Sequence, residues 1–444
     1  MIPKNVEIIL DKLNKAGYEA YIVGGAVRDY ILKKEPKDWD ITTSATPDKV
    51  KEIFNKTIDT GLKHGTVTAM MDGVGYEITT FRIDGNYSDG RHPDKILYTA
   101  NLEEDLKRRD LTINAMAMDK NENIIDIFGG IKDLEDGIIR TVGNPNDRIN
   151  EDALRMLRAI RFSAVLDSVL DENLYNAIKE NKKLIKNVSW ERIEAEITKI
   201  LLSDNPERLL DIYNLGLMEY IMPEFEQMVD CKQVNPHHKY DVAIHTLSAT
   251  KQVEKDKILR YTMLFHDIGK PDCKTTKDGI DHFYNHPYRS VEIAKPILER
   301  FRLPRKDIDE ILSLIKNHDK HITKESKIRR FLANHTDKYI ERLKKVQLAD
   351  VAAQSDYLRD EKIENINKFF DKVNELKKTE GRITKKDLKI NGNDLLSIGF
   401  NGPAVGDEID RLYDIVLSDP TFNDYDRLIK SATRQFEKVN DFER

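Results

Sequence analysis

The sequence predicts an α+β protein in which a small mixed α/β head precedes a long all-α body. Strand-like and helix-like patterns alternate over about the first 140 residues, whereas strand patterns nearly vanish after Gly143. The 444 residues are enough for about three domains, and the 39% of apolar residues can supply their cores. We therefore expect a domain boundary near Gly143.

Charge and cysteine content narrow the class of protein. The 72 lysines and arginines stand against 78 aspartates and glutamates, which gives a net charge of −6. This balance disfavours binding of nucleic acid through overall positive charge, so any such site must be a local basic patch. The two cysteines, Cys231 and Cys273, are too few for a disulfide framework or a cysteine zinc cluster.

Hydropathy predicts a cytoplasmic protein without a membrane partner. Residues 1–20 have the pattern of an amphipathic helix with interspersed charges, and they lack the apolar run of a signal peptide. No stretch reaches the ~18 apolar residues that a membrane-spanning helix needs.

The elements of the head follow from short local signals. The apolar run 20–23 predicts a strand that enters a turn at Gly24-Gly25, and residues 27–33 have helical character. We expect a second strand at 39–42 and a helix that starts at Pro47 with Thr46 as its cap. Strands at 66–71 and 76–82 flank Asp72-Gly73, a dipeptide typical of hairpin turns.

The remainder of the chain is predicted as helices. Periodic apolar positions indicate helices at 151–164, 174–183, 190–202 and 206–215, and the charged stretch 359–378 is interpreted as solvated helix faces. The segment 84–95 is rich in Gly, Asp and Asn and lacks periodicity, so we expect a mobile loop beside the head.

Two aspartates near the N-terminus suggest the chemistry. Asp38 and Asp40 occupy positions i and i+2 of a predicted strand and would face the same side. Two such carboxylates repel each other unless a cation such as Mg²⁺ neutralises them, and phosphoryl and nucleotidyl transfer use this arrangement. The glycine pair at 24–25 would let backbone amides approach a triphosphate, and Arg28 would add positive charge.

Each of these signals is weak alone, but their combination is specific. An Asp-x-Asp sequence is more often a turn or a solvated pair, and Gly-Gly is common in loops. The chain has an apolar residue before Gly24-Gly25, then twelve residues, then Asp38-Trp39-Asp40-Ile41. This ordered pattern resembles the signature of polymerase-β-like nucleotidyltransferases.

Two further blocks narrow the resemblance. Residues 108–115 read Arg-Arg-Asp-Leu-Thr-Ile-Asn-Ala, and residues 151–155 read Glu-Asp-Ala-Leu-Arg at the start of a predicted helix. On that helix Asp152, Arg155 and Arg158 recur every three residues, which alone would favour a surface ion-pair ladder. In order with the first block, they resemble class II tRNA nucleotidyltransferases, the CCA-adding enzymes, and their poly(A) polymerase relatives.

The resemblance implies a function and a set of site residues. It implies template-free addition of CMP and AMP from CTP and ATP to tRNA 3′ ends, with catalytic Asp38 and Asp40 holding Mg²⁺. Asp152 and Arg155 would read the base, since a carboxylate accepts from the amino group of cytosine or adenine and a guanidinium donates to the neighbouring ring nitrogen. The remaining predicted nucleotide-binding residues are Gly25, Arg28, Arg109, Arg158 and Arg161. Glu77 is either a third carboxylate near the metal or a structural residue. The loop with Asp89-Gly90-Arg91 matches the flexible loop of the family, which helps to switch specificity from C to A.

The body resembles a second family. His245, the adjacent pair His266-Asp267 on a predicted helix, and Asp350 match the motif of HD phosphohydrolases. Imidazole and carboxylate ligands suit a transition metal better than Mg²⁺ alone. The resemblance implies metal-dependent hydrolysis of phosphate esters or an inactive scaffold, with His286 and His318 in the place of a second metal site.

The resemblances divide the chain into four predicted domains: a catalytic head (1–143), a neck that binds nucleotide and RNA (144–225), an HD domain (226–358) and a tRNA-binding helical tail (359–444). In the tail, the Gly-Pro turns resemble the tRNA-binding region of the family or are helix connectors, and Lys385, Lys386 and Lys389 add local positive charge. Four alternatives remain. Two share the head chemistry: a poly(A) polymerase and an enzyme that adds only A. The other two are a metal-dependent phosphohydrolase whose head is inactive and a non-catalytic RNA-binding protein. The sequence does not indicate an oligomeric state.

Overall fold

The computed structural model describes residues 2–85, 90 and 95–442, and the side chains to 438. The chain forms two compact units. The first comprises residues 1–227 with Ile297–Leu303, and the second comprises residues 228–296 with Pro304–Arg444.

The first unit contains a seven-stranded mixed sheet in the order β3-β4-β5-β2-β1-β8-β9. β1 pairs antiparallel with β2, while β2 runs parallel to β5 in the register Ile41 to Ile78. The strands of this unit are β1 (Ala20–Val23), β2 (Ile41–Thr43), β3 (Thr57–Gly61), β4 (Thr66–Met71), β5 (Val74–Thr80), β6 (Arg82–Asp84), β7 (Ile96–Tyr98), β8 (Met116–Met118), β9 (Ile124–Asp126), β10 (Ile138–Ile139) and β11 (Val169–Leu170).

Helices of the head pack on this sheet, and the unit then continues mainly as helices, with β11 as a short strand among them. In the head, Val6, Ile9 and Leu13 of α1 are buried with strand residues Ile22 and Ile78 in one apolar cluster. The helices are α1 (Lys4–Lys15), α2 (Gly25–Ile31), α3 (Pro47–Ile53), α4 (Leu102–Lys107), α5 (Gly130–Asp136), α6 (Pro145–Glu151), α7 (Leu154–Leu166), α8 (Glu172–Asn181), α9 (Trp190–Leu201), α10 (Leu209–Asn214), α11 (Met218–Ile221) and α12 (Pro223–Glu226).

The second unit is helical apart from the hairpin of β12 (Thr275–Lys277) and β13 (Ile280–His282). Its helices are α13 (Val242–Gln252), α14 (Lys257–Phe265), α15 (Lys270–Cys273), α16 (His286–Arg300, of which 297–300 belong to the first unit), α17 (Arg305–Asn317), α18 (Glu325–Asn334), α19 (Asp337–Ala353), α20 (Arg359–Thr379), α21 (Gly392–Ile398), α22 (Pro403–Ser418) and α23 (Tyr425–Phe442). None of the described helices combines the length and apolar character that a membrane crossing requires.

The predicted fold class is confirmed, including the Asp72-Gly73 hairpin. Asp72 and Gly73 have φ values of 50° and 83°, and positive φ at both central residues is the geometry of a type I′ turn. The predicted loop at 84–95 is partly wrong, because Asp84 is the last residue of β6 and pairs with Ile96 of β7. Asp89 and Arg91 of that prediction lie outside the described residues.

Two predicted elements near the motifs have different boundaries. β2 begins at Ile41, so Asp38 and Asp40 precede the strand, although the Val23 N–H still donates to the Asp40 carbonyl at 3.0 Å. The helix predicted at 151–164 is interrupted: α6 ends at Glu151 and α7 begins at Leu154. Asp152 between them is extended, with φ −152° and ψ 107°.

Candidate active sites

The glycine pair brings the chain close to an arginine. Gly24 has a φ of 72°, a conformation that favours glycine, and a Cβ atom there would lie 3.2 Å from Nη1 of Arg109. Gly25 then begins α2, which carries Arg28. The Gly24-Gly25 turn thus places two guanidinium groups beside the segment that holds the aspartates.

Asp38, Asp40 and Glu77 form an acidic group. Asp40 immediately precedes Ile41 and Glu77 immediately precedes Ile78, and these two isoleucines are partners in the parallel β2–β5 register. Partial burial raises the pKa of Asp40, the charge of Arg109 opposes the rise, and the charge of Asp38 adds to it. Burial also raises the pKa of Glu77, with further contributions from Asp40 and Asp38. Burial and mutual repulsion thus disfavour the charged carboxylates, and hard oxygen ligands of this kind fit a divalent metal.

One cavity of about 790 Å³ brings together the predicted residues of the head and neck. It is lined by the predicted Gly25, Arg28, Asp38, Asp40, Arg109, Asp152, Arg155, Arg158 and Arg161, and also by Asn114, Phe162 and Arg192. Residues more than a hundred positions apart therefore share one site. Their individual roles remain predictions.

The arginines in this cavity are fixed by partners that the sequence did not reveal. Nη1 of Arg28 donates to Oδ1 of Asn114 at 2.7 Å, and Nε of Arg158 donates to Oδ2 of Asp110 at 2.7 Å. Arg161 pairs with the buried Glu196 of α9, with 2.8 Å between Nε and Oε2. Asp110 and Asn114 lie within the 108–115 block, so its polar residues serve to hold arginines.

The Asp152 carboxylate has two anchors. Its Oδ1 accepts the Leu154 N–H at 3.0 Å, and Arg192 of α9 forms a bidentate pair with distances of 2.6 Å from Nη2 to Oδ2 and 3.3 Å from Nη1 to Oδ1. The prediction that Asp152 lies on a helix is wrong, because a helical backbone would not leave the Leu154 N–H for this carboxylate. Arg192 lies 40 residues away, and no local pattern pointed to it.

Arg155 has a separate partner. Its Nη1 donates to the Glu151 carboxylate and, at 3.2 Å, to the Arg148 carbonyl. Neither its Nε nor its Nη2 has a partner among the described residues. Arg155 and Asp152 thus line one cavity, and among the described residues no hydrogen bond joins their side chains, although the Arg155 N–H donates to the Asp152 carbonyl at 3.0 Å. Donors of Arg155 and an acceptor position of Asp152 therefore remain for a ligand.

The second unit contains the predicted HD cluster. His245, His266, Asp267 and Asp350 bring ligand atoms within 4.8 Å of one another. Nε2 of His245 lies 2.9 Å from Oδ1 of Asp350, and Nε2 of His266 lies 3.2 Å from Oδ2 of Asp267. His266 and Asp267 lie in the turn after α14, not on the helix that was predicted for them.

Asp267 also belongs to a second group with His286 and His318. Nδ1 of His266, His286 and His318 each hydrogen-bonds to a backbone carbonyl, at 2.7, 2.9 and 2.7 Å. These bonds turn the Nε2 atoms towards Asp267, as carbonyl partners do for metal-binding histidines. Both groups therefore fit divalent metal ions.

The charged groups of the HD cluster change one another's pKa values. Burial alone would lower the pKa of His266, but the Asp267 and Asp350 carboxylates outweigh it and raise the pKa to about 10. Lys270, which is buried, lies 2.7 Å from Oδ2 of Asp267 and donates to Gln233 at 2.8 Å. A cavity of about 540 Å³ opens onto Asp267, His286, His318 and Asp350. No sequence pattern pointed to Gln233 or to a role for Lys270.

The tail carries a basic cleft of about 410 Å³ between α22 and α23. Exposed Lys430, Arg434 and Lys438 have no acidic partner among the residues whose side chains the structure describes. Lys385, which was predicted as a contact, is paired with Asp410. The cationic residues of the cleft are Arg411, Arg427, Lys430, Arg434 and Lys438.

Three family models match the chain. Residues 20–140 match "Poly A polymerase head domain", residues 169–228 match "Probable RNA and SrmB- binding site of polymerase A", and residues 236–354 match "HD domain". Both resemblances found in the sequence are confirmed.

Curated proteins and a solved structure match over nearly the whole chain. The CCA-adding enzyme of Ligilactobacillus salivarius is 36% identical, with 97% of this chain and 96% of that protein covered. The CCA-adding enzyme of Pediococcus pentosaceus is 32% identical, with 97% and 98% covered. The crystal structure of the Bacillus stearothermophilus CCA-adding enzyme in complex with CTP is 29% identical, with a TM-score of 0.74 and 99% and 100% of the chains covered.

Proposed function

Because the chain belongs to the family of CCA-adding enzymes, we propose that it transfers CMP and AMP from CTP and ATP to the 3′ end of tRNA without a nucleic-acid template. One observation carries the proposal: the acidic pair, four arginines and the Asp152 and Arg155 side chains line the same cavity. The similar Bacillus stearothermophilus enzyme was crystallised with CTP.

The acidic group is the proposed site of bond exchange. The tRNA 3′ hydroxyl attacks the α-phosphorus of the nucleotide, a new phosphodiester bond forms, and the bond to pyrophosphate breaks. Asp38 and Asp40 would hold Mg²⁺, which when bound would supply a Lewis acid that favours transfer of the hydroxyl proton to solvent and offsets the negative charge of the pyrophosphate. Glu77 is the proposed third carboxylate near the metal, which is supported by the effect of the Asp40 and Asp38 charges on its pKa.

The arginines are the proposed triphosphate ligands. Arg28, Arg109, Arg158 and Arg161 line the cavity, and guanidinium groups bind phosphate oxygens through paired donors. Because each is already held by protein partners, little side-chain entropy is lost when the anion binds.

Asp152 and Arg155 are the proposed base readers. Cytosine and adenine each present an amino donor next to a ring-nitrogen acceptor, which matches a carboxylate next to a guanidinium. Uracil and guanine present a carbonyl and a ring N–H in those places, so both contacts would be unfavourable.

Incorporation assays with labelled CTP and ATP test the proposal. Transcripts that lack CCA, end in C or end in CC should all be extended to CCA, whereas a poly(A) polymerase would give longer products and an A-adding enzyme would extend only the CC end. Asp38→Asn and Asp40→Asn should abolish incorporation, while Asp48→Asn, an exposed head aspartate outside the cavity, should not. Full activity of either cavity variant would refute the proposed site.

A second activity is supported by the metal cluster. We propose that the HD domain, with a transition metal held by His245, His266, Asp267 and Asp350, hydrolyses phosphate esters. His266→Ala should remove hydrolysis of a 2′,3′-cyclic phosphate and retain nucleotide addition, while Asp38→Ala should do the reverse. If the His266→Ala variant keeps both activities, the cluster has a structural role.

We propose tRNA as the macromolecular partner, which the basic cleft supports, and a cytoplasmic location, which the proposed activity supports. The two cysteines, Cys231 and Cys273, are free, which fits a reducing compartment.

A further inference from the structure

Phe162 lies in the wall of the nucleotide cavity but takes no part in the chemistry described above. It belongs to α7 and is 6% exposed. The guanidinium carbons of Arg161, Arg28 and Arg158 lie 3.8, 5.0 and 5.9 Å from its ring centroid. All three fall within the roughly 6 Å over which the face of an aromatic ring attracts a cation.

Each of the three arginines has a polar anchor apart from the ring. Asn114 holds Arg28, Asp110 holds Arg158 and Glu196 holds Arg161. The anchors come from separate parts of the chain, in the 108–115 block and on α9. Within the described part of the chain, the Phe162 ring is the aromatic contact that the three guanidinium groups share.

The arrangement crowds like charges. Burial lowers the pKa of Arg161 to about 10; Glu196 opposes this, whereas the neighbouring positive charges of Arg158 and Arg28 add to it. An aliphatic residue of similar size would fill the same space but would present no negative ring face to offset the repulsion.

We propose that Phe162 is a positioning residue that holds these three arginines together as a preformed receptor for a triphosphate. This inference rests on the proposed function only in naming a nucleoside triphosphate as the ligand. The ring therefore acts on the affinity for the anion. It does not act on the choice of base, because Asp152 and Arg155 have other partners.

The test removes the ring and preserves its bulk. Binding of tripolyphosphate, a base-free anion, is measured by calorimetry for Phe162→Leu, Phe162→Met and the ring-preserving Phe162→Tyr. Phe54→Leu is the matched control, since Phe54 is buried and has Lys12 Nζ 5.5 Å from its ring centroid, but lies outside the cavity.

Phe162→Leu and Phe162→Met should weaken tripolyphosphate binding roughly tenfold and raise KM for CTP and ATP by the same factor. We expect kcat and the preference for CTP over UTP to change by less than about twofold, because interactions made equally in ground and transition states affect KM alone. Phe162→Tyr and Phe54→Leu should bind as the wild type does.

Wild-type affinity in both ring-free variants would overturn the inference, as would an equal loss in Phe54→Leu. A change in base preference without a change in tripolyphosphate affinity would also overturn it. If the wild-type protein binds tripolyphosphate through Phe162 but transfers no nucleotide, the proposed function fails and the positioning role stands.

Discussion

Replacing Asp152 with asparagine should make the enzyme less selective for the base of the nucleotide, while the nucleotide still binds. The carboxylate has about four acceptor positions. Two on Oδ1 are used by the Leu154 N–H and Nη1 of Arg192, and one on Oδ2 is used by Nη2 of Arg192. One acceptor position remains, which is the number needed for the amino group of cytosine or adenine.

The two donors at Oδ1 fix the orientation that an asparagine would adopt. The amide oxygen of Asp152→Asn should take the Oδ1 position, because two donors meet there, the Leu154 N–H and Nη1 of Arg192. Only Nη2 of Arg192 meets Oδ2, and it would have to move away from the amide NH₂. The amide NH₂ would then replace Oδ2 and would present a donor to the base. Cytosine and adenine lose an acceptor, while uracil and guanine gain a partner for their carbonyl groups.

The expected loss of discrimination follows from the value of one such contact. A good bidentate contact between a side chain and a base discriminates by about 1–3 kcal/mol, or about 5- to 150-fold. Since Arg155 is untouched, we expect the ratio of kcat/KM for CTP over UTP to fall by roughly 10- to 100-fold. The fall should come from both a slower CTP reaction and a faster UTP reaction.

The assay is single-nucleotide incorporation into a tRNA transcript without CCA, with kcat/KM measured for each of the four nucleotides. Asp147→Asn is the matched control, because it is the same change on exposed α6 outside the cavity. A CTP/UTP ratio that stays within about twofold of the wild type would refute the assignment of Asp152 as a base reader.

Three further predictions concern other contacts. Arg192→Ala should lower the ratio of kcat/KM for CTP over UTP in the wild type. It should have little further effect when Asp152 is already alanine, because the effects of two residues in contact are not additive. Equal effects in both backgrounds would contradict the pairing. In the second unit, hydrogen bonds from Thr276 and the Val234 N–H, with Lys274, lower the pKa of Asp281 to about 2, below its ordinary value of 3.8. Its stabilising contribution should therefore be complete above that ordinary pKa and disappear as the pH falls towards 2, so urea unfolding of Asp281→Asn and wild type should differ at pH 6 and converge near pH 2. Replacing Lys430 and Arg434 with alanine should weaken tRNA binding and reduce the slope of log affinity against log salt by roughly one per contact, measured by filter binding; an unchanged slope would exclude the cleft as a phosphate contact.

The parts of the fold that were predicted correctly depend on short-range signals. Asp72-Gly73 specifies its hairpin because positive φ is needed at both central positions, and Gly24-Gly25 specifies a turn for the same kind of reason. The four-residue HD cluster was found because its members have distinctive chemistry, even though Asp350 lies 105 residues from His245.

The contacts that were missed depend on long-range packing. Arg192, Glu196 and Gln233 are ordinary polar residues within their own segments, and only the fold brings them to Asp152, Arg161 and Lys270. A single sequence contains no local pattern that distinguishes these residues from solvated helix positions.

The break between α6 and α7 determines where the Asp152 carboxylate points. If residues 145–166 formed one uninterrupted helix, the Asp152 backbone would remain in the helical hydrogen-bond pattern and its carboxylate would extend along the helix wall. In the structure the backbone leaves the helix at Asp152, and the side chain accepts the N–H of Leu154, the first residue of α7. Aspartate is a preferred residue at such helix starts, so the signal was present but was masked by the continuous apolar periodicity around it. Because the backbone and Arg192 together fix the carboxylate, the proposed base reader Asp152 offers an acceptor that is already oriented before a nucleotide binds.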